Sequence, residues 1–415
     1  MLDAVPAELD DIDLTDLDRF AYGFPHDVFV RLRRDAPVWW HPPTPTTPDG
    51  EGFWVLARHA DIHAAAGDAA TFSSATGPGR TGGGSLIEDM PNELVAGVLF
   101  NMMDDPRHHA IRKLVMPSVA PRRMRELTDD LRARTAAILD AVVPAGGCDL
   151  LVDVAAELPL QAIAWLMGIP QEDRHQLFAW ANAFLDYDDR ELGEASPKMV
   201  EAQAALFDYG TRLLAAKRAD PGDDIVSILA TGTIDGEPLG DLEQQLFFSL
   251  LVGAGSETTR DAIAGGVLAL LQHPAQLAAL RADRSLPDGA VEEILRWTTP
   301  DPYNRRTATR DVVVGDQRIA AGEKVTLWWA SANRDDAVFA DPFAFDIRRD
   351  PNPHLAFGHG THFCLGARLA RIEIAVVLDE VLDRLDDLAL AGDVEWVRSN
   401  KHTGIRHMPV SFRAR

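Results

Sequence analysis

The side chains best able to do chemistry gather in a few short segments. The first is Phe357-Gly358-His359-Gly360-Thr361-His362-Phe363-Cys364-Leu365-Gly366. Three readings of Cys364 stand open. It is an inert buried thiol, a zinc ligand with His359 and His362, or a thiolate held against another cofactor metal. Zinc would need three ligands within six residues, and no C-x-x-C or H-E-x-x-H supports it. For a thiolate, Gly358, Gly360 and Gly366 would let the backbone turn tightly and approach a cofactor.

The second segment is Ala254-Gly255-Ser256-Glu257-Thr258-Thr259. It interrupts an apolar run over 241–271, which reads as one helix of about 45 Å. Glycine inside a helix costs about 1 kcal/mol against alanine, and a buried charge costs more unless satisfied. Two local rules broken together point to a functional site. The competing reading is a polar patch facing a subunit or internal water. A third pattern, Glu-x-x-Arg, occurs at Glu257/Arg260, Glu293/Arg296 and Glu395/Arg398. Such an i,i+3 pair alone is a common surface feature. Cations suited to an anionic group occur at His108-x-x-x-Arg112, after Met103-Asp104-Asp105-Pro106, and at Arg306. Each could equally be a surface pair.

These segments need elements to position them. Residues 27–34 have helical character until Pro37. Residues 38–40 and 52–57 read as a strand pair around a proline-rich turn, and 59–67 as a short helix. Residues 73–101 begin glycine-rich and then carry Leu86, Ile87, Met90, Leu94, Val95, Val98 and Leu99, which suits either a lid over an apolar pocket or a surface loop. Helical periodicity dominates 107–218, with 151–166 strongly apolar. Helix is expected again at 290–297 and 366–385. Strands are expected at 311–319 and 324–329, and a strand hairpin at 394–412.

Composition sets outer limits. The 415 residues are 46% hydrophobic and 25% charged, which is ordinary for a globular chain and rules out disorder. The balance of 40 basic against 64 acidic residues, net −24, disfavours nucleic acid and anionic membrane surfaces. Two cysteines, Cys148 and Cys364, make no disulfide framework and fit a reducing compartment, hence a cytoplasmic expectation. The acidic start lacks the pattern of a secretory signal. No uncharged apolar run reaches 18 residues, so no membrane anchor is expected.

F-G-x-G-x-H-x-C-x-G resembles the proximal loop of the cytochrome P450 family, and Ala254–Thr259 resembles its oxygen-activation motif. The resemblance runs from about residue 25 to the C-terminus, with the motifs in the family's order. It implies a mainly α fold with a minor β part, residues 1–415 forming one domain. The β-rich subregion would fall at about 30–60, 300–330 and 394–412. It implies haem b between the long helix and the cysteine loop, with Cys364 as iron ligand and Phe357 shielding the sulfur. Gly358 and Gly366 would allow close approach, and His108, Arg112, Arg306 and His362 would hold the propionates. Thr258 and Glu257 would deliver protons, and Ala254 and Gly255 would leave room for dioxygen. Glu293, Arg296 and Arg349 would form a structural ion network, since only that Glu-x-x-Arg lies between the long helix and the cysteine loop.

By the same resemblance the substrate pocket would take Leu86, Ile87, Met90, Val95, Leu251, Pro302, Tyr303, Asn304, His402 and Thr403. The last hairpin departs from the family's apolar tip, because Lys401, His402 and Thr403 are polar. The implied activity is monooxygenation of a C–H bond in an apolar or mixed-polarity small molecule, such as a steroid, terpenoid or other natural product of secondary metabolism. Electrons would come from a separate ferredoxin or flavodoxin with its reductase. That partner would dock on a patch of Arg112, Lys113, Arg122, Arg123, Arg368 and Arg371. The alternative is oxidative coupling of a scaffold such as a cyclic dipeptide.

Overall fold

The apolar run expected to cross the core does so as one uninterrupted helix in a computed structural model describing residues 8–186, 190–283 and 285–415. The first seven residues of the acidic N-terminal stretch lie outside the described residues. The site-forming helices are α1 (Arg107–Val115), α2 (Pro121–Val142), α3 (Glu157–Met167), α4 (Arg174–Leu185), α5 (Asp241–Gln272), α6 (Pro287–Thr298) and α7 (Ala367–Arg384). Helix α5 has 32 residues, about 48 Å of rise. Its start is fixed by Glu243, whose carboxylate accepts the Gly240 N–H at 2.9 Å. Pro274 opens the next helix just past its end. Phe247 and Phe248 are buried completely, each contributing roughly 2–3 kcal/mol.

Helices α3, α6 and α7 pack on α5. A Cβ at Gly255 would lie 2.5 Å from Ile163 Cδ1 of α3, so any larger residue there would push that side chain aside. The apolar stretch Leu150–Met167 is long enough to span a bilayer, but 72% of it is buried inside the fold. It is a core segment.

The β part is smaller. A five-stranded sheet contains β1 (Val38–His41), β2 (Phe53–Leu56), β3 (Phe72–Ser73), β4 (Asn304–Ala308) and β5 (Lys324–Leu327). Their order is β1-β2-β5-β4-β3, with β5 parallel to β2 and antiparallel to β4. Alternation along β4 sends Arg305 and Arg306 to opposite faces. The expected strand at 311–319 is a hairpin, with Val312–Val314 and Gln317–Ile319 joined through Gly315 at φ +57°.

The C-terminal expectation needs correction. Residues 394–412 are not one hairpin. Glu395–Trp396 pairs with Ile405–His407, while Pro409–Ala414 leaves to pair with Leu385–Leu390 and Gly147–Asp149. The expected helix at 366–385 ends at Arg384 and continues as that edge strand. Long-range partners decide this, and local periodicity does not record them.

Residues 74–101 are pinned to the body. Gly82–Gly83 pairs with Met90–Pro91, and Arg305 N–H donates to Ser85 O at 2.9 Å. Arg80 bonds Glu51 at 2.7 Å and also Asp89, which in turn meets Arg305 at 2.6 Å. Lys324, with no exposed surface, lies 3.2 Å from Glu51.

Candidate functional site

A cavity of about 280 Å³ lies between α5 and the cysteine loop. Ala254, Gly255 and Thr258 line one wall, and Phe357, Gly358, His362, Cys364 and Gly366 line the other. Cys364 N–H donates to Phe357 O at 2.9 Å, which closes the loop. Gly360 has φ +76°, and a Cβ there would lie 2.4 Å from Ala66 O. Only glycine lets the loop seat on the helix His59–Gly67. Cys364 is accessible through the cavity. Burial pushes its thiol pKa up, and the Gly366 N–H, Arg112 and Arg371 pull it down. The Arg371 guanidinium sits 4.5 Å over the Phe357 ring.

His108, Arg112, Arg306 and His362 meet at one edge of this cavity. The His108 and His362 rings are 4.1 Å apart. Burial, then the charges of Arg306, His108 and Arg112, lower the His362 pKa to about 2. Burial lowers Arg306 to about 10. Among the described residues no carboxylate pairs with Arg112 or Arg306, and Nε2 of both histidines is buried without a hydrogen-bond partner. A buried cation such as Arg306, and buried donors left this way, cost several kcal/mol. The edge is therefore built for an anion with strong acceptor oxygens.

The opposite wall separates two neighbouring residues. Thr258 faces the cavity, its hydroxyl donating to Ala254 O at 3.0 Å, so its lone pairs remain available. Glu257, one residue earlier, turns to a second cavity on the other side of α5. Burial raises its pKa to about 7; Arg260 opposes the shift, and Asp261 and Asp186 add to it.

Of the Glu-x-x-Arg pairs, Glu293/Arg296 is the one closed by a buried ion pair. Arg296 Nε and Nη2 each reach Glu293 at 2.7 Å, and neither side chain is exposed. Arg349 Nε reaches Glu293 at 3.2 Å. Arg296 also donates to Asn333 O and Pro342 O, and Asn333 Oδ1 accepts the Leu355 N–H at 2.7 Å. The network thus holds the chain that leads into the cysteine loop.

The expected pocket residues divide. Leu251 and Asn304 line the first cavity. Leu86, Ile87, Met90, Val95, Pro302, Tyr303 and Thr403 do not. Ile87 and Tyr303 belong instead to the N-terminal core, packed with Val28, Phe29 and Trp328. His402 lines the second cavity. Lys401 is spent inside the wall, reaching Asp301 Oδ1 and Tyr303 O at 2.6 Å each. Asp301 and Asn304, which bond each other at 3.2 Å, line the first cavity together with Ser85 and Asn101.

The basic patch also divides. Arg112 turns into the cavity, while Arg122, Arg123 and Arg371 pair with Glu126, Asp223 and Glu292. Lys113 and Arg368 stay exposed. Sequence reasoning missed Glu373, a buried α7 residue lining the first cavity. Burial pushes its pKa up to about 8, with Thr259 beside the carboxyl opposing the shift. The signal was available: a glutamate at i+4 from Leu369 and i−4 from Val377, on the apolar stripe.

The cytochrome P450 family model matches residues 125–405. The chain is 50% identical over 411 residues to a protein named cytochrome P450 126 of Mycobacterium tuberculosis, covering 98% of this chain and 99% of the relative.

The chain belongs to the cytochrome P450 family.

It is also 38% identical to a steroid C26-monooxygenase of Mycobacterium tuberculosis, covering 97% of this chain and 93% of the relative. A Mycobacterium marinum cytochrome P450 in complex with pseudoionone superposes with TM-score 0.89 at 38% identity, covering 99% of this chain and all of the other. This P450 is a monooxygenase that uses haem b, dioxygen and electrons from redox partners. The first cavity fits haem, with a thiol on one wall and, at its edge, the buried Arg306 and half-buried Arg112 without a carboxylate partner among the described residues, beside unpartnered imidazole nitrogens.

Proposed function

We propose that this P450 hydroxylates a C–H bond on a branched, largely apolar molecule of steroid or terpenoid type that carries one polar group. The observation that carries the reading is the first cavity. It sets Cys364 opposite Thr258, places uncompensated cations at the edge, and leaves a mainly apolar space edged by Leu250 and Leu251, with Ser85, Asn101, Asp301 and Asn304 among its polar groups. A relative named for oxidising a steroid at C26 and a neighbour that holds pseudoionone support a branched hydrocarbon substrate. A named monooxygenase among the relatives favours oxygen insertion over coupling.

Haem, when bound, supplies dioxygen activation and the oxidising power for the C–H bond. The chain supplies the rest. Cys364 provides the thiolate, held by the Gly366 N–H. Arg112 and Arg306 would neutralise the propionates, and His108 and His362 would orient them as neutral hydrogen-bond donors. Thr258 presents its hydroxyl oxygen to the cavity, and Glu257 holds a proton behind it. Leu250, Leu251 and Phe247 exclude water and position the hydrocarbon. Lys113 and Arg368 receive an acidic ferredoxin or flavodoxin on the cysteine-loop face.

The test is direct. Protein reduced under carbon monoxide gives a strongly red-shifted Soret band, which Cys364→Ala abolishes. Pseudoionone or a steroid then yields a product heavier by one oxygen. A dimer lacking hydrogens, or a band that survives Cys364→Ala, overturns the reading. Charge reversal at Lys113 and Arg368 slows partner-driven reduction at unchanged haem content; an unchanged rate removes that docking surface.

A further inference from the structure

The second cavity, of about 730 Å³, lies behind α5, walled by α3, α4 and the C-terminal segment. Its charged groups fall into two sets. Those toward its mouth are paired: His175 bonds Glu157, Arg406 reaches Asp186 at 3.2 Å, and His407 reaches Asp149 at 2.6 Å. Asp153 accepts the Asp149 N–H at 2.9 Å.

The inner wall is different. Glu257 Oε1, Asp261 Oδ1, Arg260 Nε and both ring nitrogens of His402 are buried without hydrogen-bond partners. Arg260 is held aside by Asn182 at 3.0 Å, with its Nε 3.5 Å from Asp261. A Cβ at Gly404 would lie 2.7 Å from Asp261 Oδ2, so this carboxyl is seated against the hairpin backbone. Polar atoms in that state call for ordered water, and the cavity is polar and roomy enough to hold it. Glu257 and Asp261 are i,i+4 neighbours on one face of α5, while Thr258 faces the first cavity.

We propose that Asp261 is a second proton-carrying residue, passing protons from solvent in this chamber through water to Glu257. The inference rests on the proposed role of Glu257. Monooxygenation consumes two protons and two electrons per dioxygen, with the electrons supplied by the redox partner. Each transfer is a proton hop: Asp261 releases a proton to water, water protonates the Glu257 carboxylate, and Asp261 is reprotonated from the mouth. Nothing else is oxidised or reduced. Burial raises both carboxyls, Asp261 to about 6 and Glu257 to about 7, so both exchange protons near neutrality. His402, lowered to about 3 by burial and by Lys401 and Arg260, stays neutral and accepts hydrogen bonds from the water.

The test uses haem-loaded protein, a ferredoxin system and pseudoionone as probe. Asp261→Asn keeps the carbon-monoxide spectrum and the probe affinity. Product per electron falls about tenfold, peroxide rises, the solvent deuterium isotope effect grows, and Asp261→Glu restores all three. Val152→Trp, at the cavity's exposed wall, lowers coupling in the same direction. Infrared titration without turnover shows the Glu257 carboxyl band moving to lower pH in Asp261→Asn, because the Asp261 charge that raises it is gone. Wild-type coupling and isotope effect in Asp261→Asn, with Glu257→Gln uncoupled, overturn the role of Asp261. If Glu257→Gln is also fully coupled, the role of Glu257 falls as well.

Discussion

Replacing Glu293 by Gln leaves the shape of the buried network and removes its charge. Glu293 accepts from Arg296 Nε and Nη2 at 2.7 Å, Arg349 Nε at 3.2 Å, Asn352 Nδ2 at 3.2 Å and Asp346 N at 2.8 Å. The amide nitrogen cannot accept, so at least one arginine bond is lost and Arg296 stays buried without its counterion. Removing one partner of a buried pair costs about 3–5 kcal/mol. With an unfolding entropy of about 2.1 cal/mol/K per residue, a loss of about 4 kcal/mol lowers the thermal midpoint of this 415-residue chain by roughly 5 °C. Because Arg296 also holds Asn333 and Pro342, haem content falls in parallel. The assay is the thermal midpoint of haem-loaded protein with its absorption spectrum. Glu395→Gln is the control: it has the same spacing to an arginine but lies on the surface, and its effect stays within about 0.5 kcal/mol. A Glu293→Gln midpoint within about 1 °C of the parent, at full haem content, refutes the reasoning.

Gly360→Ala forces an alanine to φ +76° with its Cβ against Ala66 O. Strain of about 1–3 kcal/mol loosens the cysteine loop, and haem content drops; full loading with a normal carbon-monoxide band would contradict this. Asp89→Asn leaves Arg80, Arg305 and Lys324 facing Glu51 and Asp49 alone. The 74–101 segment then opens more readily, and stopped-flow dissociation of a spin-shifting ligand rises about tenfold, equivalent to about 1.4 kcal/mol; unchanged rates would show that the ion cluster does not hold the loop. Glu373, at about 8 against an ordinary 4.5, is protonated when folded and ionised when unfolded between those values. Stability therefore falls as pH rises from 4.5 toward 8, by roughly several kcal/mol. Glu373→Gln flattens that slope, so thermal midpoints at pH 5 and pH 8.5 converge; parallel slopes for parent and variant would discard the assignment.

Much of this P450 was legible in the chain itself. The glycines and Cys364 of the proximal loop, the polar break in the run over 241–271, and the position of Glu293/Arg296 identified the family before any contact was known. These features are local: they lie within one helix, one turn or a fixed spacing, where backbone sterics and helical periodicity act directly. Elements of regular period were found close to their true bounds, as with the helix His59–Gly67 and α5.

What only the tertiary structure decided are relations between distant segments. Periodicity says that Ile87 and Tyr303 are apolar and buried, but not that they join the N-terminal core rather than the cavity. The residues around Arg112 leave it open between a surface pair and a cation at a cofactor's edge, and only its docked helix turns it into the cavity that Cys364 also lines. Residues 385–390 and 409–414 become strands because they find each other and residues 147–149 across the chain. Adjacent residues 257 and 258 face different cavities because α5 is buried on several sides, and a helix with no solvent face carries no polar stripe from which to read orientation.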